Sequence, residues 1–210
     1  MARPEKFWDR MAARYARQPV ADEAVYQKKL EMTRSCLSPD MELLEIGCGT
    51  GSTAIVHAPH VRHILATDIS ENMLAIAREK AQAEGVENIS FQCAAVDSLK
   101  IEDGSIDTVL ALSILHLLPD WRAALASLYA MLRPGGLLVS STTCIGDMGL
   151  LMRMLPPLMR LLPMVPAVQA FTAAELKAAL AESGFELEKS WQPSRDQAVF
   201  ILARKPSQHF

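Results

Sequence analysis

The stretch Leu43-Leu44-Glu45-Ile46-Gly47-Cys48-Gly49-Thr50-Gly51 decides the fold. A short apolar run of strand character passes without a break into three alternating glycines, and a helical pattern opens at Ser52. A strand that ends in glycine and hands over to a helix is the first unit of an α/β sheet, whose ligands lie at the carboxyl ends of the strands. Glycine is needed there because it accepts left-handed dihedrals and has no Cβ to keep a ligand away from main-chain N–H groups. The spacing is Gly-x-Gly-x-Gly, and Ser52 stands where a dinucleotide fingerprint has its third glycine, which weakens a NAD reading.

Outward from this loop, strands and helices alternate. Strands are expected at 42–47, 64–68, 89–93, 108–112 and 137–142, with helices at 52–58, 71–84 and 121–132. Asp103-Gly104 makes a turn before the fourth strand, and Pro134-Gly135-Gly136 is expected to stop a helix before the fifth. The tail adds a helix at 173–183, stopped by Gly184, and strands at 186–191 and 198–204 across a turn at Pro193. The fold class expected is α/β: a doubly wound, mostly parallel seven-stranded sheet with a C-terminal antiparallel hairpin. Its parts are a helical lid at 1–36, an α/β core at 37–145, an apolar cap insertion at 146–171, and a closing helix and hairpin at 172–210.

Composition bounds the function. The chain has 210 residues, 50% hydrophobic and 21% charged, with net charge −3 and a pI near 6.0, so one globular domain is expected and a general attraction for polyanions is not. Cys36, Cys48, Cys93 and Cys144 form no C-x-x-C pair, which argues against a disulfide framework and a zinc knuckle. His57, His60 and His63 straddle Pro59 with no accompanying carboxylate or thiolate pattern, so no metal is expected. No secretory signal or regular spanning helix is legible, and a cytoplasmic location is expected, with peripheral membrane contact left open.

Seventeen residues after Gly51, Asp68 closes the second strand. A carboxylate there can accept hydrogen bonds from both hydroxyls of a ribose. Alone, the glycines make a tight turn and Asp68 caps the next helix. Together, at the carboxyl ends of adjacent strands, they point to a nucleoside ligand.

At this point the sequence resembles the class I S-adenosylmethionine-dependent methyltransferases, in particular the branch of ubiquinone/menaquinone and small-molecule or lipid methyltransferases. The likeness runs from about Phe7 to Arg204. Beside the loop it rests on Asp103-Gly104-Ser105-Ile106-Asp107-Thr108-Val109, Leu115-His116-Leu117-Leu118-Pro119-Asp120 and Leu132-Arg133-Pro134-Gly135-Gly136-Leu137. The resemblance implies a Rossmann-like core and S-adenosyl-L-methionine as methyl donor, leaving S-adenosyl-L-homocysteine. Gly47, Cys48, Gly49, Thr50 and Gly51 would face its methionine portion and Asp68 its ribose. Glu45 would assist near the methionine amino group, directly or through water. Where the family usually has an Asp reading the adenine amino group, this chain has Ala95. Backbone groups around Ala95 and Val96 are therefore implied to frame the adenine, with Asp97 the nearest carboxylate. Ile69, Met73 and Leu112 complete the implied cofactor set, and Tyr15 would close over the methionine end.

Methyl transfer from a sulfonium needs alignment and exclusion of water more than a nucleophile. A base serves only an acceptor that must lose a proton, and His116 is the candidate. The segment after the fourth strand is Leu112-Ser113, without the Pro-Cys that would pair with Cys144 in an RNA cytosine-5 enzyme and without an Asn/Asp-Pro-Pro-aromatic motif.

Two segments bear on the acceptor. Arg3, Lys6, Arg10, Arg14 and Arg17 recur at helical spacing beside Phe7, Trp8, Met11 and Tyr15, making a basic amphipathic helix. Residues 149–170 are rich in Leu and Met, carry Arg153 and Arg160, and are broken by Pro156, Pro157, Pro163 and Pro166. So apolar a run must be buried, filled by substrate, paired with a second copy, or laid on a membrane. The acceptor expected is small and apolar or amphipathic: a phospholipid amine, a quinone precursor or an aromatic metabolite. Rival readings are a nucleic-acid methyltransferase, a NAD-linked dehydrogenase, and a binding protein that transfers nothing.

Overall fold

The computed structural model describes residues 3–149, 168–194 and 196–207. The expected cap at 149–170, with Arg153 and Arg160, lies almost wholly outside the described residues. Seven strands form a mixed sheet, and the chain divides into two compact units, 5–99 and 100–210 with 1–4.

The first unit holds helices α1 (Pro4–Tyr15) and α2 (Glu23–Arg34), then strand β1 (Glu42–Ile46), α3 (Ser52–His57), β2 (His63–Asp68), α4 (Glu71–Ala83) and β3 (Ile89–Cys93). β1 pairs with β2 and β2 with β3, all parallel, with Leu44 opposite Leu65 and Thr67 opposite Gln92. Leu43, Leu44 and Ile46 are buried on both sides of β1, as a parallel strand covered on two faces requires. α4 packs through Met73, Leu74, Ala77 and Ala81, a single helical stripe. Its N-cap is Ser70, whose hydroxyl accepts from the Met73 N–H at 3.2 Å, so Asp68 does not cap the helix. Asp9 fastens α1 to this end of α4: its Oδ1 accepts from Ser70 Oγ (2.7 Å) and the Asn72 N–H (3.3 Å), while Asn72 Nδ2 donates to the Asp9 carbonyl (3.1 Å).

The second unit holds β4 (Ile106–Leu112), α5 (Trp121–Met131), β5 (Leu132–Thr142), α6 (Ala173–Glu182), β6 (Glu186–Trp191) and β7 (Val199–Arg204). β4 and β5 are parallel; β7 runs antiparallel to both β5 and β6, giving the expected hairpin. One boundary differs from expectation. Pro134-Gly135-Gly136 is not a turn ahead of the fifth strand, since β5 begins at Leu132 and runs through it. An irregularity in the β4–β5 register between Ile106 and Thr108 absorbs the imino residue, and Gly135 takes φ 79°. Lys205 Nζ satisfies the end of α5 by donating to the carbonyls of Tyr129 (2.8 Å) and Leu132 (2.6 Å). Arg133 forms an ion pair with the buried Asp107 carboxylate. No helix among the described residues is long and apolar enough to cross a membrane.

Candidate functional site

Within the first unit the carboxyl ends of β1 and β2 gather the residues that the sequence singled out. Gly47, Gly49 and Gly51 all have positive φ, at 64°, 54° and 74°. These are the left-handed values that the alternation of glycines demands. A Cβ at Gly51 would stand 2.8 Å from Ala77 Cβ and 3.3 Å from the Phe91 ring, so this glycine also lets α4 and β3 come close. Gly51 then begins α3, and the Ile55 N–H donates to its carbonyl at 3.0 Å.

Asp68 ties the loop to the strand end. Its Oδ2 accepts from the Gly49 N–H and its Oδ1 from the Ser70 N–H, both at 2.9 Å. The carboxylate keeps acceptor capacity for a hydroxyl donor. Burial raises the Asp68 pKa, and those backbone donors, with Ile69, work against the rise.

Glu45 is the unusual group. It is buried at 3% exposure, its Oε2 has no hydrogen-bond partner among the described residues, and its pKa is pushed up to about 8. Burial is the main cause and Asp68 adds to it, against a backbone hydrogen bond from Ala54. With no cation beside it, a carboxyl held this way carries its proton at neutral pH.

Tyr15, at the end of α1, covers the loop: its Cε1 would lie 3.7 Å from a Cβ on Gly49. Burial, Asp68 and Glu45 raise its pKa, so it remains a neutral phenol. Cys48 is buried and donates weakly to the Gly49 carbonyl at 3.8 Å. Burial first, then Glu45 and Asp68, push its thiol up, and it stays protonated. Ala95 and Val96 are half-buried at a short turn, where the Ser98 N–H and hydroxyl donate to the Ala95 carbonyl at 3.0 and 2.8 Å. Asp97 is exposed, and Met73 lies in the packed stripe of α4.

Two contributors were not read from the sequence. Lys80 on α4 reaches the loop, its Nζ donating to Thr50 Oγ1 (3.0 Å) and Ser52 Oγ (3.1 Å). Tyr26 on α2 shares a side-chain hydrogen bond with Thr53 and lies within electrostatic reach of Glu45. Position 80 is three turns into an amphipathic helix, where a lysine reads as solvated surface, so the sequence held no signal for its role.

The three histidines of 57–63 go different ways. His57 is fully buried, with neither ring nitrogen partnered among the described residues, and burial lowers its pKa to about 4. His63 Nδ1 meets Glu42 Oε2 at 3.2 Å and its Nε2 meets Ser90 Oγ at 2.8 Å.

In the second unit, Leu112 ends β4 opposite Ser141, and Ser113 follows in a left-handed conformation (φ 57°), its N–H donating to the Ser141 carbonyl at 2.7 Å. Ser113 thus departs from ordinary dihedrals at the strand's carboxyl end, a strain that the sequence did not show. His116 lies in the next turn. Burial lowers its pKa to about 4, its Nδ1 has no partner among the described residues, and its carbonyl accepts from the Gln169 N–H at 2.7 Å. Cys144 is buried with its thiol pushed up to about 12, a poor nucleophile.

Residues 43–136 match the family model of the methyltransferase domain. These residues are thus similar to a methyltransferase domain. An uncharacterized methyltransferase, YcgJ, of Bacillus subtilis (strain 168) is 33% identical to it over 94 residues, covering 45% of this chain and 37% of the relative. The tRNA 5-carboxymethoxyuridine methyltransferase of Escherichia coli (strain K12) is 32% identical over 119 residues, covering 55% of this chain and 46% of the relative. The chain thus spans less than half the length of these two relatives. Among solved structures, the geranyl diphosphate C-methyltransferase of Streptomyces coelicolor A3(2), with S-adenosyl-L-homocysteine, shares the fold at a TM-score of 0.72 and 12% identity, covering 87% of this chain and 80% of that one.

The site fits S-adenosylmethionine on its own geometry. The glycine loop bares main chain, the unpartnered Glu45 oxygen suits the ligand's ammonium, and Asp68 keeps acceptor capacity for ribose hydroxyls.

Proposed function

We propose that the chain transfers a methyl group from S-adenosylmethionine to a small apolar or amphipathic acceptor. The observation that carries the reading is Glu45: a buried carboxyl with a free oxygen beside three left-handed glycines and a second carboxyl. When bound, the cofactor supplies an activated methyl sulfonium, so the protein's work is to hold and shield. Glu45 holds the ammonium, Gly47–Gly51 the methionine portion, and Asp68 the ribose. Tyr15 covers the loop, while Ile69, Met73, Ala95, Val96 and Asp97 make up the remaining wall in the same unit. His116 stays neutral above about pH 4 and so has a lone pair for the proton of an acceptor that must shed one, but burial makes it a weak base.

The apolar composition of 149–170, with its flexible Leu and Met side chains, supports a hydrophobic acceptor. The similarity to a tRNA methyltransferase favours a second reading, an RNA acceptor, against which the net charge of −3 weighs.

Calorimetry with S-adenosylmethionine, S-adenosylhomocysteine and NAD tests the donor. A labelled-methyl assay with lipid, quinone-precursor and phenol extracts beside bulk tRNA tests the acceptor. Binding of the two adenosyl compounds but not NAD, with label entering the organic extracts, is expected. Label in tRNA alone would overturn the acceptor, and NAD binding the whole reading.

A further inference from the structure

α1 has three faces with separate chemistry. At 100° per residue, Lys6, Arg10, Arg14 and Arg17 fall within an arc of about 80°. All four are exposed, and Arg17 continues the helical path, since the Ala16 N–H donates to the Ala12 carbonyl (2.9 Å) and the Arg17 N–H to that of Arg14 (3.2 Å). Beside this stripe run Phe7, Met11 and Tyr15, the first two half-buried and Tyr15 46% exposed. The remaining face anchors the helix through buried Ala12 and through Asp9, whose carboxylate is occupied by Ser70 and Asn72. Glu5 falls on that anchoring side. None of the four cations takes part in an ion pair among the described residues. The helix is therefore fixed by one face and offers the solvent four uncompensated positive charges next to an aromatic edge.

We propose that this face docks the chain on a membrane surface bearing anionic phosphate headgroups. The partner is fitted by charge complementarity: a plane of phosphates meets four cations on one helix and the turn that ends it, and the adjoining half-buried Phe7 and Met11 suit the boundary between headgroup and acyl chain. A lipid plane matches better than RNA. A nucleic acid follows basic residues spread over several elements, whereas Lys6, Arg10 and Arg14 lie in one helix of 12 residues and Arg17 in the turn that ends it, in a chain of net charge −3. Docking here would bring a methyltransferase domain to acceptors dissolved in the bilayer, yet the inference does not depend on methyl transfer, and its test reads none.

The test is co-sedimentation of the whole chain with vesicles of phosphatidylcholine alone and of phosphatidylcholine mixed with phosphatidylglycerol, at low and high salt. Binding to the mixed vesicles, reversed by salt, is expected. Each cation contributes about fivefold in partitioning, so Lys6→Gln/Arg10→Gln/Arg14→Gln/Arg17→Gln lowers it on the order of several hundredfold at low salt. Arg10→Gln and Arg14→Gln, each an exposed single change, lower it about fivefold apiece and keep the test standing if the quadruple variant does not fold. S-adenosylmethionine affinity, read by calorimetry, stays unchanged in the single variants. Equal binding to neutral vesicles, no vesicle binding, undiminished binding by the variants, or tighter binding to a single-stranded RNA oligomer than to the mixed vesicles would each overturn the proposal.

Discussion

The two ends of β1, β2 and β3 are built from the same strands and treat their polar groups oppositely. At the amino ends the strand residues pair with one another and with neighbouring backbone. Glu42 takes Arg62 at 2.8 Å and His63 at 3.2 Å, and His63 passes on to Ser90. Asn88 Nδ2 donates to the carbonyls of Ala58 and Val61 at 2.8 and 3.1 Å. At the carboxyl ends, capacity is held back: Glu45 keeps a buried oxygen unpartnered, Asp68 keeps lone pairs, and three glycines sit in left-handed backbone. Both ends satisfy the sheet. Only one retains unmet demand, and unmet demand in a rigid setting is what a ligand can answer.

The largest effect expected is at Gly51. Gly51→Val combines a left-handed φ with a Cβ 2.8 Å from Ala77, and should cost about 3 kcal/mol or more in chemical denaturation. Gly85 has a similar φ of +68° but open space around it, so Gly85→Ala should cost only about 1 kcal/mol. Equal costs would mean that close approach of α4 plays no part in the loop. Next comes Asp68→Ala, which removes the acceptor for ribose and frees the Gly49 N–H. S-adenosylhomocysteine affinity should weaken by about 1–3 kcal/mol, roughly 5- to 150-fold by calorimetry. An unchanged affinity would end the ribose assignment.

Glu45 gives the comparison a pH signature. Its pKa of about 8 means that the ligand-free carboxyl carries a proton at neutral pH, which an incoming ammonium must expel. Affinity for S-adenosylmethionine should therefore rise with pH up to about 8, at no more than tenfold per unit, until the ligand's own amino group starts to lose its proton. Glu45→Gln should erase the rising limb and weaken binding about tenfold at pH 8. The sign for stability is the reverse. The folded pKa lies above the ordinary 4.5, so the group's contribution is full below pH 4.5 and is lost as pH climbs through about 8. Thermal melts of the ligand-free protein across that window should fall in the parent and stay flatter in Glu45→Gln.

Much of this was legible in sequence because it follows from short-range rules. Gly47, Gly49 and Gly51 announce the loop through dihedrals alone, and the alternation of apolar strands with capped helices announces the sheet. The parts that escaped depend on distance across the fold. Pro134-Gly135-Gly136 reads locally as a stop, but the Gly135 N–H donates to the Lys205 carbonyl and the Lys205 N–H to that of Gly136, both at 2.8 Å, which carries the strand through. Lys80, Tyr26 and the fastening of α1 through Asp9 are contacts between segments far apart in the chain, and no spacing rule encodes them. Ser113 escaped because a strained dihedral on a non-glycine residue leaves no mark on composition.

His57 tests whether unmet demand always signals a ligand. Both its nitrogens are buried and unpartnered on α3, yet it lies past the loop, at the far end of the helix. If it is only a tolerated cost, His57→Leu should stabilise the protein by about 1 kcal/mol near neutral pH. The gain should grow as pH falls from 6.5 toward 4, because the parent resists protonating a histidine that the unfolded chain protonates freely.

The smallest effect belongs to the amino ends. Glu42→Gln removes the carboxylate from Arg62 and His63, but the Arg62 side chain is 64% exposed, so water already screens most of that attraction. Stability should change by less than about 1 kcal/mol, and less still in high salt. The same substitution should leave S-adenosylmethionine affinity where it was. A loss of affinity from Glu42→Gln comparable to that from Glu45→Gln would erase the distinction between the two ends, since the strands would then be transmitting charge along their whole length.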